Sequence, residues 1–151
     1  MPHYVTSRAL RHSPTQMFDL VADVERYPQF VPMCASLSVR RRTTGVNGSE
    51  VLLADMAIGY KMIRERFSTR VALDRDSLNI LVEYVDGPFS HLENRWSFKP
   101  DADGCVVTFD IDYAFRSRTF QMLAGAVFDT VVRKMVEAFE RRADHVYGNP
   151  G

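Results

Sequence analysis

Residues 20–34, LVADVERYPQFVPMC, begin as a helix and are then interrupted by two prolines, Pro28 and Pro32. Proline lacks a backbone N–H and its ring clashes with the preceding turn, so a regular helix cannot continue through this segment. The interrupted part is nevertheless rich in apolar side chains, among them Tyr27, Phe30 and Val31. Apolar surface on that scale is normally covered, which predicts that the segment packs over an apolar interior. This pattern favours a ligand cavity over a catalytic cluster.

The sequence on either side predicts an α+β domain. Upstream, Ser13, Pro14 and Gln16 have the spacing of a helix N-cap, first helical position and capping-box partner, so a helix is expected there that ends before Pro28. Downstream, runs of alternating apolar and polar residues are separated by turn residues, which is typical of an antiparallel sheet with one solvent-facing side. These strand-like runs cover residues 37–42, 50–59, 62–73, 78–84 and 92–99, and a last run ends at Phe115.

The hydrophobic period changes from 2 to 3.6 in the last part of the chain. Between about Thr119 and His145, apolar residues follow i, i+3, i+4 and i+7 spacing, which predicts one amphipathic helix roughly 40 Å long. A helix of that length has to bury its apolar face across the sheet. We therefore expect one α+β helix-grip domain over residues 1–147, with a first strand near residues 3–11, two short helices after it, and a curved antiparallel sheet wrapped around one long C-terminal helix. A flexible tail is expected at 148–151. Cavities of this kind typically measure about 300–1,000 Å³.

Composition excludes several classes of protein. The formal net charge of the 151 residues is zero, which argues against a DNA-binding role. No segment approaches the ~20 apolar residues of a membrane span, and no signal peptide is predicted. Two isolated cysteines, Cys34 and Cys105, predict free thiols in a reducing cytoplasm rather than a disulfide or zinc site.

No catalytic or metal-ligating motif is present in the sequence, since the four histidines are scattered and no GxSxG occurs. Strand alternation directs Glu65 inward, either to pair with Arg70 or Arg95 or to contact a ligand headgroup. The basic run at residues 40–42 predicts a solvated strand edge that discourages strand addition, with contact to an anionic membrane surface or RNA as the alternative.

Four stretches, in order, resemble the coenzyme Q-binding START-domain family. Residues 21–34 resemble its V-x-D-V-x-x-Y-x-x-F-[IV]-P-x-C signature, and residues 58–71 resemble its V-G-F…E-x-F-x-S-R-V stretch. Residues 88–98 resemble P-F-x-x-L-x-x-x-W-x-F, and residues 115–140 resemble the closing helix. The resemblance implies a START-like fold with a tunnel for ubiquinone or a similar isoprenoid lipid. The resemblance also implies that the protein supports respiratory electron transport without catalysing a reaction itself. No cofactor is therefore expected, and the quinone is a bound ligand.

The resemblance leaves two alternatives open. One bacterial branch of the family, RatA, is described as binding the large ribosomal subunit, so a ribosome-associated regulator is the second hypothesis. An aromatase/cyclase-type enzyme of the wider polyketide cyclase (SRPBCC) superfamily is the third. We expect a cytoplasmic protein, peripheral to the inner membrane if it exchanges quinone there.

The ligand is expected to lie between the sheet and the long helix, with its headgroup near residues 27–30 and 88–89. Flexible methionines, Met56, Met62, Met122 and Met135, suit an isoprenoid tail with many conformers. Tyr60, Tyr113 and Arg70 are the candidate headgroup donors. The predicted ligand-binding residues are Tyr27, Phe30, Met56, Ile58, Tyr60, Glu65, Phe67, Val71, Phe89, Leu92, Trp96, Tyr113, Phe128, Val132 and Met135.

Overall fold

The computed structural model describes residues 3–45, 49–60 and 63–148, apart from the side chains of residues 60, 63, 120 and 123–129. Strands and helices follow one another in the order that the sequence predicts: a first strand, two short helices, a run of strands and one long helix. The elements are β1 (His3–Leu10), α1 (Pro14–Ala22), a 3-10 helix (Val24–Gln29), β2 (Cys34–Thr44), β3 (Glu50–Tyr60), β4 (Ile63–Asp74), β5 (Asn79–Asp86), β6 (Phe89–Asp101), β7 (Gly104–Phe115) and α2 (Arg118–Tyr147).

All seven strands form one antiparallel sheet in the order β1-β7-β6-β5-β4-β3-β2. Strands β2 to β7 therefore lie side by side in the order of the chain, and β1 pairs with the outer edge of β7. The inner face carries the alternating apolar residues, and the helices cover it. The predicted α+β helix-grip class is confirmed. Of the predicted tail at 148–151, only Gly148 belongs to the described residues.

Helix α1 begins with the predicted capping box. The Gln16 amide donates to Ser13 Oγ over 3.1 Å, and the Ser13 amide donates to Gln16 Oε1 over 2.9 Å. The α-helix ends at Ala22, before Pro28 as expected, and the chain continues as the 3-10 helix that contains this proline. The first strand after the prolines, β2, begins at Cys34, three residues earlier than the alternation predicts.

Helix α2 contains 30 residues and is anchored through its C-terminal half. The Tyr147 hydroxyl donates to the Gln16 carbonyl over 3.0 Å, and His12 Nε2 lies 2.8 Å from Asp144 Oδ1. Phe139 of α2 is 2% exposed and packs into the core. These contacts fix the helix against α1 and the sheet. Among the described residues, no helix is both long enough and apolar enough to span a membrane.

The basic run at residues 40–42 lies in β2, an edge strand, as predicted. A β-bulge at Arg40 disrupts the pairing with β3, which discourages the addition of another strand. Arg40 Nε lies 2.6 Å from Asp55 Oδ2, and Arg42 donates to Glu25 over 3.0 Å. Two of the three arginines are therefore engaged in ion pairs within the protein.

Candidate functional site: an apolar cavity between sheet and helix

A cavity of about 210 Å³ lies between the inner face of the sheet and α2. This volume is below the roughly 300–1,000 Å³ of typical pockets for drug-sized ligands. Its walls come from the 3-10 helix and the following loop, from strands β2 to β7 and from α2. The lining residues are Val24, Tyr27, Val31, Pro32, Met33, Cys34, Leu37, Ala54, Met56, Ile58, Phe67, Thr69, Val71, Ile80, Val82, Phe89, Leu92, Asn94, Trp96, Phe109, Ile111, Phe115, Val131, Val132, Met135 and Phe139.

Most residues proposed from the sequence as ligand contacts lie in this wall. They come from the 3-10 helix, from the three strands β3, β4 and β6 and from α2, which the fold brings together. The predicted residues that line the cavity are Tyr27, Met56, Ile58, Phe67, Val71, Phe89, Leu92, Trp96, Val132 and Met135. Two further predicted contacts, Tyr60 and Phe128, have side chains outside the described residues.

Phe30 and Tyr113 were expected in the cavity wall but lie elsewhere. The ring of Phe30, which directly follows the 3-10 helix, packs on Phe139, and the Arg142 guanidinium lies 5.0 Å from its centroid. Tyr113 is on the inner face of β7 as predicted, but it is 2% exposed and packs edge-on against Phe115 at 5.7 Å. Both residues therefore contact residues of the cavity wall but do not line the cavity themselves.

Glu65 takes up neither predicted arrangement among the described residues. It is half-buried and does not line the cavity. Its expected partner Arg70 lies on the outer face of the sheet and donates to Glu83 over 2.9 Å. Arg70 therefore cannot serve as the headgroup donor that the sequence suggested. Arg95, the other expected partner, donates to Glu93 over 2.8 Å. The reason is that each arginine alternates with inward-facing residues of its own strand, Arg70 in β4 and Arg95 in β6, so both emerge on the solvent side.

Of the four methionines proposed to surround a flexible tail, Met56 and Met135 line the cavity. Met122 does not, because it is 78% exposed on α2. It precedes Met135 by thirteen residues, which places it roughly 140° away around the helix. Met62 lies outside the described residues.

The cap, defined here as residues 24–33, is held against α2 by three aromatic rings. Tyr27 and Phe30 each contact Phe139 with ring centroids 5.2 Å apart, and both contacts are edge-on. The Tyr27 hydroxyl donates to the Val21 carbonyl. Burial raises the pKa of this phenol far above its ordinary value of 10, so the proton stays on oxygen throughout the physiological range. Tyr27 thus acts as a neutral hydrogen-bond donor and an apolar wall.

The last residues of the cap are fixed to β3. Met33 adopts a left-handed backbone conformation, with φ of 71°, that turns the chain from Pro32 into β2. Its carbonyl accepts a hydrogen bond of 2.9 Å from the Gly59 amide. The Val31 amide donates to the Tyr27 carbonyl over 2.8 Å. The interrupted helix of the sequence is therefore an ordered cover for one side of the cavity.

Two buried polar residues in the wall, Thr69 and Asn94, were missed by the sequence reasoning. Asn94 donates to the Asp110 carbonyl over 2.9 Å and accepts from Trp96 Nε1 over 2.9 Å, which fixes the orientation of the indole. Its inward position is readable from strand parity, since it alternates with Leu92 and Trp96. Among the described lining residues there is no Asp, Glu, His, Lys or Arg.

One of the two cysteines, Cys34, lines the cavity, whereas Cys105 is buried outside it. Burial raises the pKa of both thiols from 9.0 to about 11. Both are therefore neutral and weakly nucleophilic at neutral pH. The unfolded chain ionises these thiols before the folded protein does. Their contribution to stability is thus complete below pH 9 and is lost as the pH rises toward 11.

A family model described as "Polyketide cyclase / dehydrase and lipid transport" matches residues 10–140. The chain belongs to this family. It is 33% identical over 148 residues to the ribosome association toxin RatA of Escherichia coli K12, covering 97% of this chain and 90% of that protein. It is 34% identical over 150 residues to the coenzyme Q-binding protein COQ10 homolog B of Xenopus laevis, covering 96% of this chain and 59% of that mitochondrial protein.

Solved structures confirm the START-like fold. An 18 kDa protein from Caulobacter crescentus has a TM-score of 0.83 and 34% identity, and the match covers 99% of this chain and 100% of that one. A START superfamily protein from Mycobacterium smegmatis has a TM-score of 0.80 at 17% identity, covering 95% and 98% of the two chains. The second similarity shows the fold alone.

Proposed function

We propose that the protein binds an apolar ligand in the cavity and that this ligand is ubiquinone. In this proposal the protein acts as a quinone carrier and does not itself catalyse a reaction. The observation that carries the proposal is a cavity whose described lining is apolar except for a few neutral polar groups. The name of the Xenopus relative, a coenzyme Q-binding protein, supports the choice of quinone. In this proposal the carrier works in the cytoplasm and exchanges its ligand at the inner-membrane surface, in support of respiratory electron transport.

The energetics of the cavity suit such a ligand. Each Å² of apolar surface removed from water contributes about 25 cal/mol, so a few isoprene units give useful affinity without specific polar contacts. Met56 and Met135 can adjust their rotamers to a flexible tail. The 210 Å³ of space is small, so we expect a quinone headgroup or a short stretch of tail to fill it. A longer isoprenoid tail would have to widen the cavity or extend out of it.

The proposal is tested by the quinone content of the protein and by quinone binding. Trp96 is the only tryptophan of the chain and lines the cavity, so a quinone ring bound there is expected to quench its fluorescence. The purified protein is extracted with organic solvent for mass spectrometry, and the stripped protein is titrated with decylubiquinone. Saturable quenching supports the proposal. Absence of both co-purified quinone and quenching would exclude ubiquinone as the ligand.

The two cysteines provide an internal control for the place of binding. At pH 8 we expect iodoacetamide to label both thiols slowly, since burial keeps them protonated. Saturating decylubiquinone should slow the labelling of Cys34 several-fold further and leave that of Cys105 unchanged, because Cys34 alone lines the cavity. Peptide mass spectrometry measures the two rates. Equal protection of both thiols would indicate general stabilisation instead of occupation of this cavity.

A second candidate function is a ribosome-associated regulator. It is favoured by the relative named ribosome association toxin, which matches nearly the full length of both chains. Co-sedimentation with purified large ribosomal subunits tests it. Binding that relies on phosphate contacts should weaken steeply as salt is raised from 50 to 200 mM. Lack of co-sedimentation at low salt would remove this candidate.

The third alternative, aromatase/cyclase chemistry, requires an ionisable pair inside the cavity to move protons. The described lining residues provide none, and Glu65, the residue suggested by the sequence, lies outside the wall. Nothing in this part of the chain favours an enzyme over a binding protein.

A further inference from the structure

Thr69 is a buried polar residue in the cavity wall. It lies on the inner face of β4 between Phe67 and Val71, and its side chain is among those lining the cavity. The residue is only 6% exposed. Among the described residues its side chain makes no hydrogen bond. A hydroxyl that lines a cavity at a mostly buried position has little contact with bulk water, so a hydrogen bond to a ligand atom would be favourable there.

The other polar groups of the wall are already engaged. Asn94 is bonded to Trp96 on one side and to the Asp110 carbonyl on the other. The Cys34 thiol faces the Ser36 carbonyl at 3.7 Å, and the Tyr27 hydroxyl donates to Val21. Thr69 is therefore the polar group of the described wall that is left for a ligand.

We propose that Thr69 is the polar anchor of the cavity, its hydroxyl hydrogen-bonding one oxygen of a neutral, otherwise apolar ligand such as a quinone or a long-chain ketone. The inference rests on the proposed function and adds the position and chemistry of the ligand's polar atom. A hydroxyl can donate to a carbonyl oxygen, which matches a quinone or ketone.

The same wall disfavours an anionic lipid. A buried carboxylate or phosphate needs a positive partner or several donors, because its desolvation is strongly unfavourable. The described lining residues include no Lys, Arg or His. A single hydroxyl is sufficient for a neutral oxygen but not for a full charge. The anchor therefore selects neutral oxygenated lipids over fatty acids and phospholipid headgroups.

The test compares Thr69→Val with Thr69→Ser. Valine has nearly the shape of threonine but lacks the hydroxyl, whereas serine keeps the hydroxyl. The probes are decylubiquinone, followed by Trp96 quenching, and decylbenzene, which has no oxygen and is measured by displacement of the quinone. We expect Thr69→Val to weaken decylubiquinone binding about three- to tenfold, as for the loss of one hydrogen bond. Thr69→Ser should stay within about twofold of the unmodified protein, and decylbenzene binding should not change in either variant.

Tyr84→Phe is the matched control. Tyr84 is the cross-strand partner of Thr69, and its hydroxyl is fully buried without a partner among the described residues. It does not line the cavity. Its removal should therefore leave both affinities unchanged. The infrared carbonyl frequency of bound decylubiquinone gives a readout that needs no substitution, because a hydrogen bond lowers this frequency relative to that in hydrocarbon solvent.

The outcomes separate the two proposals. If the unmodified protein binds decylubiquinone and Thr69→Val binds it equally well, or weakens both probes to the same extent, the anchor is wrong and the carrier proposal stands. An unshifted carbonyl frequency would overturn the anchor in the same way. If the unmodified protein binds neither probe, both proposals fail.

Discussion

Replacing Phe139 with alanine is expected to lower the free energy of unfolding by about 3–5 kcal/mol, the usual range for a buried phenylalanine. Phe139 is 2% exposed, and its ring lies 5.2 Å from each of the rings of Tyr27, Phe30 and Trp96. The substitution removes the ring that joins the cap to the sheet, so little nearby can move in to fill the space. Urea unfolding followed by circular dichroism measures the loss.

Val146→Ala is the control for the Phe139 variant. Val146 lies on the same helix but is 48% exposed, so its truncation should change stability by less than about 0.5 kcal/mol. A loss below about 1 kcal/mol for Phe139→Ala would contradict the structure, because it would mean that the cap does not depend on this ring.

Replacing Val132 with tryptophan is expected to abolish co-purification of quinone. Val132 is 2% exposed and lines the cavity from α2, so an indole at this position would fill much of the 210 Å³. Solvent extraction and mass spectrometry of the purified variant measure the bound quinone. Val132→Phe keeps Trp96 as the sole tryptophan and allows titration. We expect its affinity for decylubiquinone to fall at least about tenfold, equivalent to 1.4 kcal/mol.

Over-packing usually lowers stability by about 1–3 kcal/mol, so folding of both Val132 variants is checked by thermal unfolding. Val146→Trp adds the same side chain to an exposed position of α2 and should load quinone normally. A folded Val132→Trp protein with full quinone content would show that the ligand lies outside this cavity.

The features that the sequence predicts correctly are those set by local chemistry. Ser13 and Gln16 form a capping box because their spacing alone brings their side chains to each other's backbone amides. Alternation assigns Met56, Phe67 and Trp96 to one face of the sheet, and the cavity lies on that face. The long amphipathic helix follows from its period in the same way.

The predicted positions that differ from the structure depend on properties that the alternation of residues along a strand does not determine. Alternation gives the face on which Glu65 lies but not how far the cavity extends along β4, and Glu65 lies beyond it. The position of Phe30 depends on Phe139, more than one hundred residues later in the chain. The volume of the cavity depends on the packing of all its walls, which no local pattern specifies. That the Thr69 hydroxyl makes no hydrogen bond among the described residues depends on side chains from several elements, so no local pattern in the sequence predicts it.

The hydrogen bond between the Gly59 amide and the Met33 carbonyl has a consequence for observing ligand exchange. It joins the C-terminal end of strand β3 to the cap, so separation of the cap from the sheet exposes this amide to solvent. Deuterium uptake at Gly59 therefore reports the free energy of local cap opening, separately from global unfolding, which controls uptake in the central strands. If the proposed ligand enters past the cap, its rate of entry and the deuterium uptake of this one backbone amide should change together.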